Sequence, residues 1–150
     1  MGYMVVALSS GDDKRDFAKE LGAHEYINTS KEDANAKLQS WGGAALIVAT
    51  APNPKNIGPL IGGLAVGGHL LVLSPCGSIE VDTGNLIQKG LSVAGYPSGH
   101  AIDSEEAIRF TKLHDIKCLV EAFPLSDAQK AYDHMMSGKA RFRAVLVMDK

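Results

Sequence analysis

The sequence has little that would commit it to a membrane, a nucleic acid or secretion. No apolar run is long enough for a transmembrane helix, and the first residues lack the basic flank and cleavage site of a secretory signal. Fifteen basic against seventeen acidic side chains give a net charge of −2, so no excess of positive charge is available for polyanions. These absences predict a cytoplasmic protein with no nucleic-acid and no membrane partner.

Cysteine is scarce and metal-ligand spacing is missing. Cys76 and Cys118 lie far apart, with no CxxC pair and no Cys/His pattern around them. The five histidines are scattered, with no H-x-x-x-H or E-x-x-H pairing. A closed zinc site needs four ligands at suitable spacing, so we expect free thiols and no metal site in this chain.

The length and composition fit one folded domain. The chain has 150 residues, of which 45% are hydrophobic and 21% are charged, as in ordinary globular proteins. Proline and glycine are spread along the chain rather than gathered in a linker, and no repeat is present. We therefore expect a single domain over residues 1–150.

Short apolar runs alternate with amphipathic stretches, which indicates βαβ units in a mostly parallel sheet. The predicted strands are Met4–Ser9, buried on both faces, then Glu25–Ile27, Ala44–Ala49, His69–Leu73, Leu91–Gly95, Ile116–Phe123 and Ala144–Met148. The predicted helices are Asp13–Leu21, one capped by Ser30 and running to about Trp41, Asn56–Leu64 ended by Gly67–Gly68, one capped by Asp103 and ending near His114, and Ser126–Met136. The pattern is that of an α/β protein.

Two segments resemble the medium-chain, zinc-dependent alcohol dehydrogenases. They are Val5–Ala23 and the C-terminal set Ile116–Leu125, Ala131–Tyr132, Met135–Met136, Gly138–Arg141 and Arg143–Val147. The similarity runs through the whole chain but matches only the C-terminal part of that family's sequence. It implies a Rossmann-like, mostly parallel sheet with flanking helices, as a single, incomplete dinucleotide-binding domain that ends in a helix and a strand.

The glycine-rich turn of dinucleotide-binding proteins is missing. G-x-G-x-x-G normally follows the first strand, and this sequence does not contain it. The resemblance implies that the first βα unit lies upstream of this chain. Because that strand is central in the order 3-2-1-4-5-6, its loss predicts either a gap or a rearranged sheet.

The resemblance implies the cofactor-binding portion of an alcohol dehydrogenase, as a fragment or a truncated gene product. In the complete protein, hydride would pass between NADP(H) and an alcohol or aldehyde carbon held on zinc. The zinc ligands of that family belong to an N-terminal domain whose pattern does not occur here. We therefore assign no catalytic residue, expect zinc only in a complete family member, and expect no alcohol turnover by this chain alone.

The end of the first strand carries the candidate specificity residues. Ser9, Ser10 and Lys14 offer two hydroxyls and a cation, which suit a ribose 2′-phosphate and favour NADP over NAD. Asp12 and Asp13 in the same stretch count against a phosphate. An equally good interpretation is that Ser10 caps a helix and Lys14 lies in its solvated first turn.

The remaining candidates follow later strands, where ligands of open α/β sheets bind. By resemblance they would line the rest of the dinucleotide, although any loop after a strand would look similar. Arg143 corresponds to a family arginine that binds cofactor phosphate, and the alternative is a solvated charge at a strand edge. These cofactor-binding candidates are Thr50, Ala51, Leu73, Ser74, Gly95, Tyr96 and Arg143.

Two rival functions stay open. The first is a non-enzymatic α/β protein that forms a homo-oligomer through an unpaired sheet edge, since such edges attract other strands. The second is a zinc-free reductase of the same superfamily, for which Tyr96 is the one hydroxyl candidate. Nothing at its spacing supports a proton relay.

Overall fold

The computed structural model describes residues 2–148, which form two compact units that meet in sequence between Pro97 and Ser98. The first unit alternates strands and helices along the chain. Its elements are β1 (Val6–Ser9), α1 (Arg15–Glu20), β2 (Glu25–Asn28), α2 (Ala34–Ser40), β3 (Ala44–Ala49), α3 (Pro54–Ile57), a 3-10 helix (Gly58–Gly63), β4 (Leu64–Val72), α4 (Thr83–Lys89) and β5 (Ser92–Gly95).

The predicted α/β class with parallel strand pairing is confirmed. In the first unit β1 pairs with β2, and β3, β4 and β5 pair in that order, all in parallel. Within residues 2–148 no ladder joins the β1–β2 pair to the three-stranded sheet. Of the two expected outcomes, a gap and a rearranged sheet, the structure shows the gap: two separate sheets whose strands keep the expected neighbours.

Both sheets of the first unit contribute to one core. Its buried side chains come from β2, α2, β3 and β4 and from the helical segment before β4, and Val6 and Leu8 of β1 pack against them. The fully or nearly buried members are Ile27, Leu38, Ile47, Ala49, Ile57, Ile61, Leu64 and Leu70. Each fully buried aliphatic side chain contributes about 1.5–3 kcal/mol of hydrophobic stabilisation, so this cluster anchors the unit.

The strands bury one face more than the other. In β3, Ile47 and Ala49 are buried, whereas Leu46 and Val48, which alternate with them, are about half exposed. The prediction that Met4–Ser9 is buried on both faces is wrong, because Val6–Ser9 is partly buried and Met4 is exposed. An apolar sheet face is therefore left in contact with solvent.

Helix α2 begins later than predicted because a different residue caps it. Asp33, in an extended conformation, accepts hydrogen bonds from the backbone N–H groups of Asn35 and Ala36. Ser30 is not the cap: its hydroxyl donates to the backbone carbonyl of Ser10, in the loop after β1. A side chain predicted to start a helix thus fastens a loop instead.

The glycine pair Gly67–Gly68 was predicted to end a helix, and this is wrong. Both glycines lie inside β4, where the register with β3 shifts after the Ala44–Leu64 pair. A Cβ on Gly68 would lie 2.9 Å from the carbonyl oxygens of Ala44 and Ala65. The preceding helical segment ends at Gly63, and the strand that starts at Leu64 needs glycine where the two backbones approach.

The second unit contains a helix and a compact βαβ element. Its elements are α5 (Ala101–Leu113), β6 (Val120–Pro124), a 3-10 helix (Leu125–Asp127), α6 (Ala128–Met136) and β7 (Arg143–Val147). Strands β6 and β7 are parallel, with Val120 opposite Arg143. Helix α5 starts before the predicted cap: the Asp103 carboxylate accepts from the backbone N–H of His100, as in a capping box.

In residues 2–148 no helix is both long and apolar enough to cross a membrane.

Candidate dinucleotide site

Three of the candidate segments meet at one edge of the three-stranded sheet. Ala49 pairs with Val72, and Val72 pairs with Gly95, so β3, β4 and β5 end side by side. The backbone N–H of Leu73 also donates to the carbonyl of Ala49 at 3.0 Å. Thr50–Ala51, Leu73–Ser74 and Tyr96, which follow these strand ends, therefore lie along one carboxyl edge, and Thr50 and Tyr96 are exposed there.

Ser9 and Ser10 lie at the end of β1, in the two-stranded sheet. The Ser9 carbonyl accepts from the backbone N–H of Thr29 at 2.9 Å, and the Ser10 carbonyl accepts from Ser30. Within residues 2–148 no hydrogen bond involves either serine hydroxyl or the Lys14 ammonium. The backbone of this loop is therefore held in place while its hydroxyls and one cation stay available.

Asp12 is the most strongly perturbed group of the loop. One of its oxygens lies 2.8 Å from Nη2 of Arg15 and the other lies 2.6 Å from Nζ of Lys31. These hydrogen bonds, first that of Lys31 and then that of Arg15, hold the pKa of the Asp12 carboxyl far below its usual range. The carboxylate is thus ionised and engaged by two cations, which offsets its repulsion of a phosphate.

Tyr26 of β2 also holds the loop that follows β1. Its ring is almost fully buried, its hydroxyl donates to the Gly11 carbonyl at 2.6 Å, and the Arg15 guanidinium lies 4.7 Å from the ring centroid. Nη1 of Arg15 donates to the Tyr26 carbonyl at 3.3 Å. Arg15 therefore bridges Asp12 and β2, and its pKa is raised, chiefly by the hydrogen bond to Asp12.

Arg143 belongs to the second unit. It is the first residue of β7, opposite Val120, and its side chain is exposed. Its neighbour in the turn, Arg141, donates its backbone N–H to the Glu121 carboxylate, which also lies 2.7 Å from Nε2 of His134. The structure therefore places Arg143 beside a charged turn, in a different unit from the other candidates.

No group of three or more His, Cys, Asp or Glu side chains in residues 2–148 is arranged to hold a metal ion. Besides His134, which pairs with Glu121, two further histidines have hydrogen-bond partners. His24 accepts from the backbone N–H of Val5 at 3.0 Å, and His69 shares a hydrogen bond with Ser92. Both cysteines are free.

The parallel sheets with flanking helices and the loops at their carboxyl edge define a Rossmann-like α/β protein. The chain belongs to the zinc-binding dehydrogenase family, whose model matches residues 1–112. It is 58% identical over 147 residues to alcohol dehydrogenase patD of Penicillium expansum, an alignment that covers 98% of this chain and 43% of that protein. The chain thus spans less than half the length of this relative.

Solved structures agree on the fold. Benzyl alcohol dehydrogenase from Acinetobacter calcoaceticus superposes with a TM-score of 0.86 at 18% identity, over 97% of this chain and 43% of that one. CAD from Helicobacter pylori, complexed with NADP(H), superposes with a TM-score of 0.76 at 21% identity, over 97% of this chain and 41% of that one. At these identities the likeness establishes the Rossmann-like architecture.

Sequence reasoning missed the cations that surround Asp12. Lys31 is 19 positions from Asp12 and was assigned to a helix start, so no local pattern indicated their ion pair. The signal that could have found it is topological. Since β1 and β2 are parallel neighbours, the residues that follow their carboxyl ends must lie close together.

Proposed function

We propose that this chain is the NADP-binding part of an alcohol dehydrogenase. One observation carries the choice of NADP: Asp12, the first carboxylate after β1, is engaged by Arg15 and Lys31, while the hydroxyls of Ser9 and Ser10 have no hydrogen-bond partner in residues 2–148. A ribose 2′-hydroxyl needs a free carboxylate acceptor, whereas a 2′-phosphate needs donors and positive charge. Family membership supports a nicotinamide dinucleotide.

The residues present fit the adenosine end of such a cofactor best. Ser9, Ser10 and Lys14 would bind the 2′-phosphate, and the exposed strand ends would carry the rest of the dinucleotide along the carboxyl edge. The residues proposed for that edge are Thr50, Ala51, Leu73, Ser74, Gly95 and Tyr96, with Arg143 as a further phosphate ligand. When bound, the oxidised nicotinamide would accept a hydride from an alcohol, and the reduced nicotinamide would supply one to an aldehyde.

We assign no catalytic residue in this chain and expect no alcohol turnover without further protein. The two units would act as one dinucleotide-binding domain over residues 1–150. Its sequence lacks G-x-G-x-x-G, so the pyrophosphate must be held by other means and affinity should be low. The free thiols of Cys76 and Cys118 support a cytoplasmic location.

Isothermal titration of the chain with NADPH and with NADH tests the function. We expect saturable binding with NADPH the tighter ligand, and a double variant Ser9→Ala with Ser10→Ala that loses most of this preference. Ser126→Ala, an exposed serine of the second unit, is the control and should leave both affinities unchanged. Absence of heat at millimolar cofactor contradicts dinucleotide binding, and tighter NADH binding contradicts the assignment of NADP.

A specific observation also favours self-association as a second candidate. In the described chain, β1 has one strand partner, β2, and β3 has one strand partner, β4. Strands β1 and β3 therefore each have a free edge, and Leu46 and Val48 of β3 expose an apolar face next to the free edge of β3. Free edges beside apolar surface favour pairing with another chain. Light scattering after size exclusion decides: a homo-oligomer supports this role, and a monomer at all concentrations excludes it.

A further inference from the structure

Lys31 lies at the candidate phosphate site although it belongs to the turn after β2. Its Nζ is 2.6 Å from Oδ2 of Asp12, and its neighbour Ser30 donates to the carbonyl of Ser10. Thr29 adds a third connection through the Ser9 carbonyl. The turn 29–31 therefore contacts the loop after β1 at Ser9, Ser10 and Asp12, and these contacts place the Lys31 ammonium beside that loop.

Lys31 and Arg15 share Asp12 but differ in freedom. Arg15 uses Nε and Nη2 on Asp12 and Nη1 on the Tyr26 carbonyl, and its side chain is 36% exposed. Lys31 is 70% exposed, and Asp12 is its one ion-pair partner in residues 2–148. An ammonium has three donors, so two remain for a ligand. Arg15 is thus the fixed support, and Lys31 is the cation that can turn toward a ligand.

Lys31 adds a third cation to the charges of the loop. Lys14, Arg15 and Lys31 lie near the carboxylates of Asp12, Asp13 and Glu32, and Glu32 interacts electrostatically with Arg15, so these six groups balance. Without Lys31 the same groups would carry a net negative charge and would repel a dianionic phosphate. The ion pair with Asp12 holds this third cation at the loop that follows the two serines.

We propose that Lys31 binds the ribose 2′-phosphate together with Lys14 and therefore determines the preference for NADPH over NADH. This inference rests on the proposed function, because it adds a residue to the same dinucleotide site. A 2′-hydroxyl gives the ammonium no charged partner, so the effect is confined to the phosphorylated cofactor. A purely structural Lys31 would instead affect both cofactors alike.

The test compares dissociation constants of NADPH and NADH for the full chain and for Lys31→Gln. Charge-assisted hydrogen bonds contribute enough for a loss on the order of tenfold in NADPH affinity, with NADH affinity changed less than about twofold. Lys31→Arg keeps the charge and the pairing with Asp12 and should retain most of the preference. Lys19→Gln, which removes an exposed lysine at the far end of α1, is the matched control.

Adenosine 2′-monophosphate and adenosine 5′-monophosphate give a second readout, since they separate the two phosphate positions. Lys31→Gln should weaken the 2′ nucleotide alone. If the parent chain prefers NADPH and Lys31→Gln weakens the binding of both cofactors equally, or leaves the ratio of the NADPH and NADH dissociation constants unchanged, Lys31 does not determine the preference. The proposed function is unaffected by that result. A parent chain that prefers NADH, or binds neither cofactor, overturns the proposed function and Lys31's role with it.

Discussion

At the scale of single residues, the loop after β1 is fixed by a buried tyrosine of β2 and by charged side chains of α1 and of the turn after β2. The Tyr26 hydroxyl donates to the backbone carbonyl of Gly11. The Arg15 guanidinium and the Lys31 ammonium both bind the Asp12 carboxylate. A loop that is already ordered in the free protein lowers the entropic cost of ligand binding. The candidate phosphate site is therefore preorganised through β2.

Removing the Tyr26 hydroxyl should loosen this loop. Tyr26→Phe keeps the buried ring but leaves the Gly11 carbonyl without its 2.6 Å donor, at a cost of about 1 kcal/mol in the free energy of unfolding. Amide exchange across residues 10–14 should accelerate, as hydrogen-exchange mass spectrometry can measure. Tyr132→Phe alters an exposed tyrosine and should change neither quantity. Equal exchange in both variants would contradict the anchoring role.

Glu121 is the corresponding anchor of the second unit. It accepts from the Arg141 backbone N–H and lies 2.7 Å from His134 Nε2, and these contacts, chiefly that of Arg141, hold its pKa below the usual range. A carboxylate with a depressed folded pKa stabilises the fold above its unfolded pKa of about 4.3. This stabilisation is lost as the pH falls through the lower folded pKa.

Glu121→Gln should therefore flatten the acid side of the stability profile. We expect the urea midpoint of the parent chain to decrease as the pH is lowered from about 6 to about 3, and to decrease less in the variant, which has no proton to bind at this position. Glu20→Gln, at the end of α1, serves as the control and should follow the parent. A fall as large in Glu121→Gln as in the parent would show that the contacts contribute nothing.

At the scale of elements, the approach of β3 to β4 depends on a glycine. Gly43, just before β3, has φ of +86°, and a Cβ there would lie 2.5 Å from the backbone nitrogen of Ala65. Gly42 has a similar φ of +93° but open space around it. Substitution of Gly42 therefore introduces backbone strain alone, whereas substitution of Gly43 introduces the same strain together with a steric clash.

Gly43→Ala should destabilise the chain more than Gly42→Ala. Both substitutions carry the strain of a left-handed conformation, about 1 kcal/mol, and only Gly43→Ala adds a clash with backbone, about 1–3 kcal/mol more. Urea unfolding of the two variants measures the difference. Equal losses would mean that the strand pair can shift apart without cost.

The elements themselves were largely predictable, because hydrophobic period and capping residues are local signals. Ala44–Ala49 was predicted with the bounds that the structure has, and Asp13–Leu21 contains α1. The errors arose where tertiary contacts overrode local pattern: Gly67–Gly68 continue a strand because β3 lies close, and Ser30 binds Ser10 rather than a helix N-terminus. Neither contact has a sequence signature.

At the scale of the whole molecule, parallel topology determines which loops can form a site. The aligned ends of β3, β4 and β5 follow from the order of βα units, which the sequence predicts. The third cation does not follow from any motif, since Lys31 reaches Asp12 only through the pairing of β1 with β2. Arg143 lies in the second unit, and its role as a phosphate ligand stays a prediction.

Chemical-shift mapping of the backbone amides during titration with NADPH tests most directly whether the loop after β1 binds the phosphorylated ribose. The expected result is saturable shifts concentrated in residues 9–14 and at Lys31, with smaller shifts after NADH at the same concentrations. Shifts confined to other segments, or identical patterns for the two cofactors, would contradict a phosphate-selective site at the end of β1.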